Sequence, residues 1–295
     1  MNISALAREI QDHQIIGLCE ATHGQLKLNL FRNRLVKQLI TTHNFTVIVL
    51  EEQYSCAKII DKYIKNSNNI SYLDGLDAFP FLSKTFVDLL KWLKLYKNKN
   101  KNKISIIGID CQDYCPKYKS NSKVTKYVNN LMVKYNIYAG ESTDPYGKHN
   151  FRDKSMYKIF MRQYNNRNKY LIFGHIGHLQ KEPYIKDDKI KWFGNYLYNR
   201  FTTDYFVIGN TFYNGEYLAK DIDNNYDVGI AKVDKKKELD DGIYYINQHN
   251  RKIVIYEGDV CFSSKNPNKT FNQTKINNRF DMLVVINNEL PFTLI

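Results

Sequence analysis

Short apolar runs and amphipathic stretches alternate along the chain, the pattern of βαβ units that build a mainly parallel sheet. Strands are expected at Ile15–Cys19, Thr46–Leu50, Ile104–Ile109, Tyr170–Phe173 and Tyr205–Ile208, with later candidates at Lys252–Tyr256 and Met282–Ile286. Between them, "QLKLNLFRNRLVKQLI" puts Leu28, Phe31, Leu35 and Leu39 on one side of a helix. "CAKIIDKYI" follows the second strand and "TFVDLLKWLKLY" precedes the third. Ile3, Leu6 and Ile10 recur at helical spacing and predict a surface helix at the N-terminus. Residues 112–150, with Pro116, Pro145 and two glycines, lack this regularity and read as loops and short helices over one end of the sheet.

No internal repeat and no long linker divides the chain. The expected architecture is therefore one α/β domain over residues 1–295, with helices on both faces of the sheet and an active-site cleft at the strand carboxyl ends. An irregular or helical insertion near 112–150 would cover that cleft.

The polar residues fall in register with this scaffold. Glu20 and His23 follow the first strand, Glu51 and Glu52 the second, Asp110 the third, and His175 and His178 the fourth. In a parallel sheet these positions share one edge, so carboxylates and imidazoles from four strands converge. A capped strand-to-helix turn would account for "GLCEATHG" taken alone. The other strand-end residues favour a site. Glu52 alternates with Glu51 and is expected to face solvent or start the next helix, while Asp110 fits either a ligand-facing carboxylate or a loop cap.

Composition changes this picture little. The 295 residues are 43% hydrophobic, enough for a sizeable core, and the formal charge is +13. The excess is mostly Lys spread beside Asn, Ile and Tyr, a set that A/T-rich codons favour, so no specific nucleic-acid partner is expected. "KNKNKNK", Lys97 to Lys103, reads as a solvated loop. The N-terminus lacks a secretory pattern and no run spans a bilayer, so neither export nor a membrane partner is expected. Five cysteines without a framework, including "CQDYC", fit reduced thiols in a cytoplasmic protein, and Cys19 fits a small apolar core residue. The partner expected is a small-molecule substrate.

No G-x-S-x-G elbow, H-E-x-x-H helix, Walker loop or G-x-G-x-x-G is present, which leaves water as the nucleophile. A histidine held by a carboxylate suits a general base, since its pKa lies near neutrality and the carboxylate fixes its tautomer. Glu51 could orient His23 or the water. Arg32, nine residues beyond His23 on the next helix, and His175 or His178 could stabilise an oxyanion. Two other readings stand beside this one: a zinc-dependent hydrolase using His175 and His178 with Glu20, His23 or Glu51, and a non-enzymatic basic binding protein.

"GLCEATHG", Arg32, "VIVLEE" with Glu51, "RDKSM" at 152–156 and "LIFGHIGHLQK" at 171–181 together resemble the successive motifs of the erythromycin esterase family. "GNYLYNRFTTDYFVIGNTFYNGEY" and "FDMLVVINN" resemble its later segments, so the likeness runs from near residue 15 to near 290. The resemblance implies metal-independent hydrolysis of an ester, lactone or related acyl substrate by activated water. By this match His23 would be the general base, Glu20 and Glu51 its polar partners, and Arg32 and His175 supports for substrate and developing charge, with His178 close by; apart from the resemblance, the strand-end positions make His178 and Asp110 the candidates for substrate binding. No cofactor is implied. Cys19 stands where the family usually has glycine, and the stretch between the third and fourth strands is shorter than in the antibiotic-inactivating members, so macrolide specificity is not carried over.

Overall fold

In the computed structural model the apolar runs become the strands of one sheet. The structure describes residues 3–66, 73, 83–100, 103–112, 120–141, 147–182, 191–212, 214–220, 228–234, 242–245, 279–286, 289–291 and 293. Helix α1 (Ile3–Ile10) precedes β1 (Ile15–Glu20), α2 (Leu26–His43) leads to β2 (Phe45–Gln53), and α3 (Tyr54–Asn66) with α4 (Lys84–Asn100) leads to β3 (Ser105–Asp110). Then α5 (Lys123–Glu141) and α6 (Gly147–Gln163) reach β4 (Lys169–His175), and the short α7 (Ile176–Leu179) and α8 (Phe193–Phe201) reach β5 (Tyr205–Phe212). The chain continues through β6 (Asn214–Lys220), β7 (Val228–Asp234), β8 (Gly242–Tyr245) and β9 (Met282–Ile286).

The main sheet has the order β3-β2-β4-β1-β5-β9-β8. Its first six strands pair in parallel, and β8 joins antiparallel at the far edge. β6 and β7 form a separate antiparallel ribbon. The candidate strand at Lys252–Tyr256 lies outside the described residues.

Alternation of side chains sorts the strands between two apolar layers. Ile16, Leu18, Leu171, Phe173 and Ile208 face the layer built with α1 to α4, where Leu6, Leu28, Leu35, Leu39 and Leu90 are buried. Ile15, Cys19, Tyr170, Ile172 and Val207 face the opposite layer, with Met156 and Phe160 of α6 and Phe193 and Leu197 of α8. Helices therefore cover both faces, as the buried runs require. From β2 the chain moves outward to β3, and from β4 it moves the other way to β5, so the connections diverge between β2 and β4. In an open parallel sheet a ligand crevice forms beside such a divergence, at the carboxyl ends.

Two expectations are corrected. Residues 112–150 are more regular than expected: α5 has 19 residues and α6 has 17, because Pro116 precedes α5, Pro145 falls between the two helices, and the glycines lie near their ends. Helix α5 packs on α3 and α6, and α6 on β3. The lysine-rich run is half helical, since α4 continues to Asn100; Lys97 and Lys99 in its last turn offset the partial negative charge of the helix end. Among the described residues, no helix is long and apolar enough to cross a membrane.

The turn after β1 depends on Gly24, whose φ is +88°. A Cβ there would lie 2.1 Å from the Leu218 carbonyl oxygen on β6. Gly24→Ala is expected to destabilise the protein by at least about 2 kcal/mol, from the left-handed backbone plus the clash, which thermal unfolding would measure.

Candidate active site

The first strand ends on Glu20, paired in register with His175 of β4. Glu20 is 1% exposed, and its carboxylate lies 3.1 Å from His23 Nδ1 and accepts from Arg32 Nη1 at 3.4 Å. Arg32 reaches back from α2, and the group it meets is Glu20; it also donates to Asn29 Oδ1 and lies over the Phe173 ring. Burial opposes the charge on Glu20, but the bond to His23 and the charge of Arg32 outweigh it and hold its pKa below the usual carboxylate range. Burial would likewise lower the His23 pKa; the hydrogen bond and charge of Glu20, with Glu51, outweigh this and raise it. With Nδ1–H directed at the carboxylate, Nε2 is the basic nitrogen of the ring. The His23 side chain is 22% exposed, more than any other ion-pairing side chain of the cluster.

A second group of charges gathers around Glu51. The β2 strand shifts register against β3 between Leu50 and Gln53, and such a bulge re-aims side chains. Glu51 Oε2 accepts the His175 backbone N–H at 2.6 Å, and Oε1 accepts Arg152 Nη2 at 2.9 Å. Arg152 also donates to Asp110 through Nε and Nη2, the latter at 2.8 Å. Burial would raise the Glu51 pKa, yet His178, Arg152, His23 and His175 bring it to about 2. Glu52 corrects the expectation of a solvent position. It is buried, and its carboxylate accepts the Gln53 N–H just before α3, so it does belong to the helix start.

Asp110 serves as a turn cap and as a partner for Arg152: its Oδ1 also accepts the Cys111 and Gln112 backbone N–H groups. His178 places Nδ1 at 2.7 Å from Asp153 Oδ1, which also accepts the Phe193 N–H at the start of α8. Burial would lower the His178 pKa, but Asp153 and Glu51 hold it above the usual range. In the arrangement seen, Arg152 Nη1 lies 2.9 Å from His178 Nε2, a contact in which the guanidinium donates to a neutral ring. Protonation would turn this edge toward Glu51 Oε1 at 3.3 Å. His175 is held neutral, its pKa brought to about 3 by burial and by the neighbouring His23. Its Nε2 lies 3.1 Å from the Ala21 carbonyl, and its Nδ1 accepts the Gly177 N–H.

The expected residues Glu20, His23, Arg32, Glu51, Asp110, His175 and His178 thus meet at one edge of the sheet. Arg152 and Asp153 join them without having been singled out individually. The available signal was the spacing of Asp153, Met156 and Phe160, which places an acidic residue on the buried stripe of α6. Metal ligation is a poor fit to this donor set, because the ring nitrogens of His175 and His178 contact protein groups. Among the described residues, no three His, Cys, Asp or Glu side chains are arranged to hold a metal ion. The thiols of Cys19 and Cys111 are buried, and burial raises both pKa values, that of Cys111 to about 12.

The family model described as erythromycin esterase matches residues 40–134 and 129–288. The chain belongs to the erythromycin esterase family. An erythromycin esterase type I from Escherichia coli is 26% identical over 106 residues, a segment covering 36% of this chain and 26% of that one, so the match spans about a quarter of the relative's length. A Bacillus cereus protein of known structure aligns over 100% of both chains with a TM-score of 0.74 at 19% identity. A protein described as a succinoglycan biosynthesis protein aligns at 0.75 over 98% of this chain and 91% of its own, with 17% identity. An erythromycin esterase mutant in its open conformation aligns at 0.65 over 97% and 93%, with 15% identity. These structural likenesses speak to the fold, and they agree with an α/β sheet covered on both faces.

Proposed function

We propose that this erythromycin esterase family member hydrolyses an ester, lactone or related acyl substrate with water activated by His23. The observation that carries the reading is the pairing of a partly exposed imidazole with a buried carboxylate at 3.1 Å, at the carboxyl edge of the sheet. The family name and the named relative support hydrolysis as the reaction class. Water attacks the acyl carbon while His23 Nε2 takes its proton. The tetrahedral intermediate then collapses, the carbon–oxygen bond to the leaving alcohol breaks, and the imidazolium returns the proton to the departing oxygen.

Glu20 fixes the ring and balances the imidazolium. Arg32 holds Glu20, and Glu51, tethered by Arg152, adds negative charge beside the ring. The partly exposed Arg152 and the transient imidazolium face the developing oxyanion, with His175, His178 and Asp110 completing the polar wall. Both cations of the cluster are already paired with carboxylates, which favours a neutral acyl substrate over a phosphate. The proposed mechanism uses no metal, and the buried free thiols among the described residues, Cys19, Cys56 and Cys111, fit a reducing cytoplasm.

The test is hydrolysis of a panel of short-chain aryl esters and macrolactones by the purified protein, with and without chelator. Turnover indifferent to chelator is expected; loss on chelation would sink the metal-free mechanism. The pH profile adds a second check. His23 must be neutral to accept a proton, and its pKa is raised, so kcat/KM should fall on the acid side with a midpoint above the ordinary value of 6.5. Glu20→Gln removes the raising group and should move that midpoint down, and an unmoved midpoint would show that another group titrates.

A further inference from the structure

Helix α2 carries Arg32 and follows the His23 turn directly, yet its N-cap residue, Gln25, makes no side-chain capping bond to it. A helix start leaves four N–H groups without intrahelical partners. Here the far end of the chain supplies most of them. Leu26 N–H donates to the Leu290 carbonyl at 2.7 Å, Lys27 N–H to Glu289 Oε1 at 2.6 Å, and the Leu28 N–H also reaches the Glu289 carboxylate. Asn29 N–H then makes the first intrahelical bond, to the Gln25 carbonyl. A carboxylate at this position also complements the helix dipole.

The Glu289 carboxylate has a second branch. Its Oε2 accepts from Gln25 Nε2 at 3.4 Å, which leaves Gln25 Oε1 to accept the Thr22 N–H at 3.3 Å. Thr22 lies between Glu20 and His23. Glu289 is itself fixed: it is 1% exposed, Glu216 N–H of β6 donates to its carbonyl at 2.9 Å, and Gly215, with φ +127°, packs its backbone against it.

We propose that Glu289 is a positioning residue for the His23–Glu20 pair, acting through Gln25 on the Thr22 amide and through the α2 N-terminus on Arg32. The proposal rests on the reading of His23 as the base, and its test is chosen to work without turnover. In the whole 295-residue chain, the His23 ring is followed by NMR titration, assigned by loss of its signal in His23→Gln, and the Thr22 amide by hydrogen exchange. Glu289→Gln keeps the volume but sets an NH2 or a carbonyl where the carboxylate satisfied both branches at once. The Thr22 amide is then expected to exchange about tenfold faster well below the melting temperature. The His23 midpoint should fall by about 0.5 pH unit as the ring loosens from Glu20.

The swap Gln25→Glu with Glu289→Gln restores both branches with the charge moved, and it should recover the Thr22 protection. A folded Glu289→Gln protein with lower melting temperature but unchanged exchange and midpoint would overturn the proposal, leaving Glu289 a helix staple. Should Glu289→Gln fail to fold, Gln25→Ala decides through the His23 midpoint, because it removes only the branch to Thr22 and keeps the α2 cap: a lowered midpoint supports the relay and an unchanged midpoint overturns it. If the wild-type protein hydrolysed no ester, the functional reading would fall while these two measurements would still report whether Glu289 sets the turn.

Discussion

His23→Ala is expected to lower kcat/KM for any ester the protein hydrolyses by about 10²- to 10⁴-fold, the range of a lost general base. The size follows from what remains. Glu20 is buried behind the ring and held by Arg32, so it cannot take over as base without breaking that pair. The alanine variant also loses the donor facing Glu20. Leaving a buried carboxylate with one fewer partner costs about 1–3 kcal/mol, so part of any activity loss could be a folding effect. His23→Gln separates the two. Its amide N–H can still donate to Glu20, but it has no basic nitrogen, so stability should return toward wild type while the rate stays low. A glutamine variant that keeps more than about a tenth of the wild-type rate would remove His23 from the proposed role, since even a modest general base contributes about 10²-fold.

What the chain made legible follows from the range of each contact. Runs such as Ile15–Cys19 and Tyr170–Phe173 report buried parallel strands, because both faces of the sheet are covered and each run stays apolar throughout. Once those strands are parallel, Glu20, Glu51, Asp110 and His175 must share an edge, so the convergence of the site was readable before any contact was seen. For Glu52 the helix-start half of the reading held and the solvent half did not, because alternation holds only along a regular ladder and β2 shifts register at that point. Arg152 and Asp153 lie just beyond the irregular stretch, on α6, and were carried only within the motif "RDKSM", with no role drawn for either from position alone. Glu289 had no local signal at all: it meets Lys27 across 262 residues, and nothing in its neighbourhood marks a helix cap.

Arg152→Met is the substitution expected to cost most stability. Arg152 bridges Glu51 and Asp110, both nearly buried, and removing one member of such a set strands the opposite charge at a cost of about 3–5 kcal/mol. For a chain of this size that corresponds to roughly 10 °C in melting temperature at pH 7. His178, 3.3 Å from Glu51, can compensate in part by taking a proton, which places the result toward the lower end. The pH dependence fixes the cause. Glu51 has its folded pKa lowered to about 2 from about 4.5, so it contributes stability that is fully present above about pH 4.5 and lost as pH falls toward 2. Without Arg152 the folded pKa of Glu51 rises, and the contribution shrinks or reverses. The gap in melting temperature between wild type and variant should therefore be widest near neutrality and narrow as pH drops to 4. Adding Glu51→Gln and Asp110→Asn to Arg152→Met should recover part of the lost stability, because the stranded charges are gone, and should recover no activity. A variant that melts within about 2 °C of wild type at pH 7, less than one kcal/mol by the same scaling, would mean that Arg152 is not the tie between the two carboxylates.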